Sequence, residues 1–333
     1  MGKTDVAVKQ WLDDGVRFAD LFNGILFNGE QIINANELEK VSGESSIILA
    51  DKEKKEKYVH RYRDIVKRWK GGIDFVILAV EAQSKVHYSM PVRNMVYDGL
   101  SYTGQIREIW DGIKDEEKKR LTSEEVFSRF RRSDKLVPVI TIVLYTGSDK
   151  WDGALNLHEM FDIKDNRFKS ILDKYVPDYR INLVNIMNME DTAMFRSDLQ
   201  MVFDMLKYKE NKEKMKVYTR KNSERLRRLD IETVNVIKYL LNAGKSLEKI
   251  IDNNKKVDIT GKERVDMCKA LDEWYKEGIE EGIEQGIEQG IAISIRTLQK
   301  NGFTKAMVLS SIKENAEIPE LTAADYIEKY WMN

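Results

Sequence analysis

Residues 75–83, FVILAVEAQ, constrain this chain more than any other stretch: an almost unbroken apolar run that ends on two polar side chains, Glu81 and Gln83. A segment this short and this apolar suits a central β-strand buried on both faces. Gly71 and Gly72 precede it, a favoured two-residue hairpin turn, and a second extended segment, VHRYRDIVKRWK, precedes the glycines. A turn centred on the two glycines sets Tyr62 opposite Glu81 and Asp64 opposite Ala79. Side chains alternate along a strand, so Asp64 then shares a face with 77, 79, 81 and 83. Glu81 becomes its diagonal neighbour, and Gln83 and Lys85 continue along the same face. A bulge or an odd-length loop would turn one strand over and break this alignment.

The rest of the chain is read around that hairpin. Residues 6–27 carry Trp11, Val16, Phe18, Leu21, Phe22 and Ile25 near helical spacing and read as one helix, ended by Asn28-Gly29. Residues 30–58 are mixed, include the charged stretch DKEKKEK, and read as loop with short elements. Ser89 as a cap and Pro91 in the first turn start a helix that runs to about Ile109. Residues 136–145, LVPVITIVLY, form another buried strand, closed by Thr146-Gly147. From about 160 onward the pattern is mostly helical with charged faces. The expected divisions are 1–165 as the α/β core, 166–265 as a helical region and 266–333 as a helical tail. In that tail Gly278, Gly282, Gly286 and Gly290 recur every four residues, beside Ile279, Ile283, Ile287 and Ile291. A period of four drifts slowly round a helix. Each glycine costs up to about 1 kcal/mol relative to alanine, so the segment gains from a partner, and self-association is the expectation. The alternative is a solvated linker helix. Glutamates between the glycines exclude a lipid-buried span.

Composition narrows the function classes. The 55 basic and 56 acidic residues nearly cancel, so overall charge gives no support for nucleic-acid binding. Local excess does: 52–70 and 207–228 are rich in lysine and arginine, and a phosphate-binding face needs only that. Each run also reads as an ordinary solvated surface. The single cysteine, Cys268, excludes an intrachain disulfide and a cysteine zinc cluster. No apolar run approaches a membrane span, and the N-terminal residues lack the apolar region of a signal peptide, so a cytoplasmic protein without a membrane partner is expected. His60, His87 and His158 show no ligand spacing. The absence of GxxxxGK[ST] and GxGxxG patterns argues against a nucleotide cofactor.

Two carboxylates held side by side are costly when both are ionised, and a divalent cation relieves that cost. Magnesium prefers one or two carboxylates with water and phosphate oxygens. A metal bound by Asp64 and Glu81 would orient a water, lower its pKa and stabilise charge growing on a phosphodiester. The competing reading is a polar sheet edge, with the carboxylates paired to Arg61, Arg63 or Lys85. Arg93 and Tyr97 lie four apart on one helix face, positioned to contact a backbone phosphate, to steady Glu81, or to brace the helix as a cation–aromatic pair.

The stretches RYRDIVKRW, FVILAVEAQSKVHYSMPVRNMVYDGLSYTGQI and LVPVITIVLYTGSDKWDGALNLHEMFD resemble the recombination-promoting nuclease (Rpn), or YhgA-like putative transposase, family of the PD-(D/E)XK superfamily. The resemblance covers about residues 8 to 165. It implies a restriction-endonuclease-like core, a small mixed sheet flanked by helices, followed by a mostly helical C-terminal region. It implies a DNA endonuclease dependent on Mg2+ (or Mn2+), with Asp64 and Glu81 as metal ligands and Gln83 in the catalytic position where the superfamily usually has lysine. Glutamine supplies an amide dipole and no charge; Lys85 is the candidate to restore it. Asp20, on the first helix, is a further candidate acid, since superfamily members often carry one there; otherwise it is an exposed helix residue. The alternative function is a catalytically degenerate fold that binds DNA or protein and oligomerises through its tail. RNA in place of DNA stays open.

Overall fold

The computed structural model describes residues 3–41, 44–50, 56–62, 65–70, 73–79, 86–241, 243–257, 261, 263–315 and 320–331. In chain order the helices and strands are α1 Lys3–Leu12, α2 Gly15–Phe27, β1 Leu38–Lys40, β2 Glu44–Ala50, β3 Glu56–Tyr62, β4 Ile65–Trp69, β5 Ile73–Ala79, α3 Met90–Asp111, α4 Asp115–Lys118, α5 Ser123–Ser128, β6 Val139–Tyr145, α6 Asn166–Tyr175 and β7 Asn182–Asn185. They continue as α7 Asp198–Tyr208, α8 Lys212–Lys221, α9 Ser223–Leu226, β8 Leu229–Asp230, α10 Ile231–Leu240, α11 Gly244–Asn253, β9 Lys255–Val257, β10 Glu263–Val265, α12 Met267–Lys300, α13 Lys305–Asn315 and α14 Glu320–Tyr330. The chain divides into two compact units, Met1–Gly244 with Lys256–Val265, and Lys245–Lys255 with Asp266–Asn333.

The first unit is a mixed α/β structure. Its five-stranded sheet has the order β1-β4-β5-β6-β7. β4 pairs antiparallel with β1 and β5, whereas β5, β6 and β7 run parallel. The apolar sequences IDFVILA and VITIVLY thus become neighbouring central strands, joined by α3 as the crossover that a parallel pair requires. The register sets Val66 level with Thr141 across β5, so both lie on one side of the sheet, with Val143 and Tyr145 further along it. α3 covers that side: Asp98 accepts a hydrogen bond from Thr141 Oγ1 (2.7 Å), and Met90 packs against Val143 and Tyr145. The other side carries Lys67, whose Nζ donates to the Asp13 carbonyl (2.6 Å) and lies 5.3 Å from the Phe18 ring centroid, so the α1–α2 region covers it.

Three expectations need correction. The helix expected over 6–27 is two, because Asp14 caps a new start: its side chain accepts from the backbone N–H of Val16 and Arg17. The region 30–58, expected as loop with short elements, is more regular than that: besides β1 it contributes β2 and the start of β3, a hairpin paired from Glu44↔Tyr62 to Ala50↔Glu56. The β4–β5 hairpin exists, but Trp69 pairs with Ile73 and Ile65 with Ile77. Three residues, 70–72, therefore separate the strands, and the pairing is offset by one from the expected register. The face argument linking Asp64 to Glu81 does not follow from the observed pairing. Gly71 and Gly72 lie outside the described residues.

Around the sheet, α1 and α2 join α7 and α10. Trp11 Nε1 donates to Thr233 Oγ1 (3.0 Å), and Arg17 bridges Asp198 (3.2 Å) and Asp230. α2 lies so close to the segment before α7 that a Cβ at Gly24 would sit 2.3 Å from the Phe195 ring, which is why glycine stands there. In the second unit, the end of α12 packs with α13 and α14 around Ile291, Ile295, Val308, Ile312 and Ile327. Upstream, every residue from 276 to 287 is exposed.

Candidate nucleic-acid and metal site

Parallel strands end together, and in open α/β sheets ligand sites form outside those carboxyl ends. Here Ala79, the last residue of β5, pairs with Leu144 near the end of β6. Glu81, Gln83 and Lys85 follow Ala79 directly; like Asp64, they lie outside the described residues. The described chain resumes at Val86, which packs against the cluster of Met90, Val143, Tyr145, Trp151 and Ile181. That cluster sits at the carboxyl end of β6 and the start of α3, with the Tyr145 and Trp151 rings edge to face at 5.2 Å.

α3 starts with Ser89 at the cap position and Pro91 in the first turn, as the sequence leads one to expect, although the Ser89 hydroxyl makes no capping bond. It lies instead 3.4 Å from His87 Nδ1. Two adjacent stripes of the helix divide the work. Asp98, Tyr102 and Gln105 fasten it to β6 and to the residues leading into it. Tyr102 OH accepts from Val139 N (3.2 Å), and the Gln105 amide bonds the backbone of Val137 in both directions (3.0 and 2.7 Å). Tyr179 OH also donates to the Asp98 carboxylate. The neighbouring stripe, His87, Ser89, Val92, Arg93, Val96 and Tyr97, lines a cavity of about 450 Å3.

The structure brings Arg93 and Tyr97 together as a cation–aromatic pair, with the guanidinium carbon 5.5 Å from the ring centroid and Tyr97 buried. Arg93 Nε is buried without a hydrogen-bond partner. Burial, and then the Arg93 charge, hold the His87 imidazole below its ordinary pKa. Four buried side-chain polar atoms lack a partner among the described residues: Arg93 Nε, Asn94 Oδ1, Tyr145 OH and Thr146 Oγ1. All four stand at the start of α3 or the end of β6. Buried polar groups are ordinarily satisfied, so such a concentration marks a place built for water, an ion or a ligand. In the sequence Thr146 marks only a strand end and His87 shows no ligand spacing; the β5–α3–β6 crossover brings both to the same end of the sheet, and the signal for Thr146 is a polar residue directly after a buried strand. Burial, followed by Asp149 and Asp152, raises the Tyr145 phenol pKa.

Asp20 is buried, at 3% exposure, so the exposed-helix reading does not hold. Its carboxylate accepts from Arg196 N (3.0 Å to each oxygen), Ser197 N (2.7 Å) and Ser197 Oγ (2.5 Å). Those bonds fasten α2 to the start of α7. The basic run 207–228 becomes the end of α7, α8, α9 and the turn after them. Met215, Thr219 and Leu226 point inward, and Lys214, Arg220, Lys221, Arg227 and Arg228 are exposed. Among the described residues no three His, Cys, Asp or Glu side chains are grouped to hold a metal ion, and no helix is long and apolar enough to cross a membrane.

A mixed sheet with a polar, incompletely satisfied edge at its parallel strand ends defines an α/β protein with a candidate ligand site beside its crossover helix. The chain belongs to the YhgA-like putative transposase (Rpn) family, whose model matches residues 31–233. That match takes in the whole sheet, α3 and the basic run. No curated protein and no solved structure matches the chain.

Proposed function

We propose that this chain is a metal-dependent DNA endonuclease of the PD-(D/E)XK type, acting in the cytoplasm and hydrolysing phosphodiester bonds with little sequence preference. The observation that carries the reading is the set of unpartnered buried polar atoms at the start of α3 and the end of β6, Glu81, Gln83 and Lys85 standing in the chain between β5 and α3. The family match spanning that edge supports it. Asp64 and Glu81 offer only oxygen donors, the set that a hard cation such as Mg2+ or Mn2+ selects. When bound, such an ion supplies an activated water and charge stabilisation for the phosphodiester.

The chain's own residues do the rest. Arg93, held over Tyr97, offers its guanidinium to a phosphate oxygen. Gln83 orients the attacking water through its amide, and Lys85 supplies the positive charge that glutamine lacks. Exposed cations of α8 and α9 hold the DNA backbone in a salt-dependent manner. In the tail, Ile279, Ile283 and Ile287 form a ridge along the four-residue row of α12, each 47–57% exposed. Beside it, Gly278, Gly282, Gly286 and Gly290 form a row where an added Cβ meets nothing within 4 Å. A ridge next to a groove of the same pitch is self-complementary, and a second copy of the chain is its proposed partner.

The test is plasmid nicking by the full-length protein with Mg2+ or Mn2+. Asp64→Ala and Glu81→Ala are each expected to abolish nicking with the circular dichroism spectrum kept, and Lys85→Ala to slow it. Equal nicking by wild type and both carboxylate variants would overturn the reading. Two observations favour the second reading, a binding module without catalysis: glutamine in the lysine position, and a β4–β5 register one residue off the one on which the Asp64–Glu81 pairing rests. Its signature is DNA retention by wild type with no cleavage in either metal.

A further inference from the structure

Between α3 and β6 the chain makes a compact knuckle, and its construction is tight. Thr122 and Glu125 form a reciprocal capping box at the start of α5. Ser128 Oγ donates toward the carbonyls of Glu124 (2.7 Å) and Phe130 (2.9 Å). Arg131 is bound to Asp134 through its backbone N–H and its Nε, both at 2.8 Å, and reaches Glu117 at 3.5 Å. Arg129 ends the helix in the left-handed region at φ 52°, a conformation uncommon for a residue with a side chain. Yet this well-fastened element turns its largest apolar side chain outward. Phe127 is 92% exposed and Val126 is exposed beside it. Arg129 and Arg132 are exposed and make no ion pair among the described residues. Lys118, over the Trp110 ring at 5.5 Å, ties the knuckle to the far end of α3, and the Arg131–Glu117 pair closes the knuckle on itself.

We infer that this knuckle is a nucleic-acid contact, in which a base stacks on the Phe127 ring while Arg129 and Arg132 meet the flanking phosphates. The chemistry selects the occupant. An exposed aromatic face on the same short segment as two exposed, unpaired guanidinium groups suits a base with its anionic phosphates, because every base offers a π-face and arginine matches phosphate oxygens. Span agrees with it. The 22 residues of α3 extend about 33 Å, which a single strand of roughly ten nucleotides covers at about 3.4 Å each. One DNA can therefore reach both the strand-end site at the start of α3 and the knuckle beyond its end. The inference rests on DNA being the substrate of the proposed nuclease, and it adds a second contact that positions that substrate away from the chemistry.

Fluorescence anisotropy of a labelled single strand of about 16 nucleotides, with full-length protein in EDTA, tests it apart from cleavage. Phe127→Ala is expected to weaken binding by about fivefold to a hundredfold, and Phe127→Trp to keep it. The circular dichroism melt should not move in either variant, because the ring is exposed. Arg129→Gln with Arg132→Gln should lower the salt slope by about one to two. Wild-type affinity in Phe127→Ala, or equal loss in the alanine and tryptophan variants, overturns the inference while leaving plasmid nicking by wild type to stand or fall separately. Loss in Phe127→Ala alone supports it, even where wild type nicks no plasmid.

Discussion

Replacing Asp20 separates its two candidate roles, acid in the chemistry or clamp in the fold. The carboxylate is almost fully buried and takes hydrogen bonds from two backbone N–H groups and one hydroxyl. Asp20→Ala leaves those donors behind. The Ser197 hydroxyl is least affected, because it also accepts from Leu199 N as the cap of α7 (3.3 Å) and can turn toward water. The N–H groups of Arg196 and Ser197 cannot turn. An unmade bond costs about 1–3 kcal/mol for each buried donor. The surroundings are only part-buried, so water offsets some of this, and a loss of about 2–4 kcal/mol is expected. Against a total stability of about 5–15 kcal/mol, that is easily measured as a lower urea midpoint by circular dichroism. Asp20→Asn keeps one acceptor oxygen and should lose about half as much. Nicking per folded molecule, read at a temperature where the variant is still folded, should stay near wild type. A variant as stable as wild type that no longer nicks DNA would refute the clamp and restore Asp20 to the chemistry.

Two further outcomes test other parts of the molecule. The chain has three histidines, so the His87 titration can be followed by NMR. Its midpoint should lie below 6.5, and Arg93→Gln should raise it by removing the neighbouring charge while the larger effect, burial, remains. The sign for stability follows: the unfolded chain protonates His87 more readily, so its contribution is full above pH 6.5 and is lost as pH falls through the depressed folded value. An Arg93→Gln midpoint equal to wild type would show that the two side chains do not face each other. In the tail, Ile283→Glu sets a charge in the middle of the exposed ridge and should shift sedimentation from self-associated to monomeric species; a wild type that stays monomeric as its concentration is raised would remove the proposed partner.

The elements legible in the sequence are those set by neighbours a few residues away. Phe75 to Ala79 and Val139 to Tyr145 read as strands because unbroken apolar runs of that length need cover on both faces, and α3 read as a helix because Pro91 fits only a first turn. Asp14 was equally local, but its capping role was hidden by apolar spacing that continues through it. The β2–β3 hairpin was hidden by the charged residues between its strands. What the sequence encodes weakly is pairing at a distance. One added residue between Trp69 and Ile73 turns every side chain of β4 relative to β5, and no apolar pattern reports it, since β4 carries an apolar and a basic side chain on each face and β5 is apolar on both from Phe75 onward. Asp98 meets Tyr179 across 81 positions, and Asp20 meets Ser197 across 177. The site at the strand ends belongs to the same class. Arg93 and Tyr97 could be paired from helix geometry alone, but Tyr145 and Thr146 reach the same end of the sheet as the start of α3 only because β6 lies parallel to β5 and α3 packs across the sheet between them. A parallel pair brings its carboxyl ends together wherever its crossover lies. The polar residues that follow two buried runs in such a chain are therefore the first place to look for a site, before any alternation within a hairpin is counted.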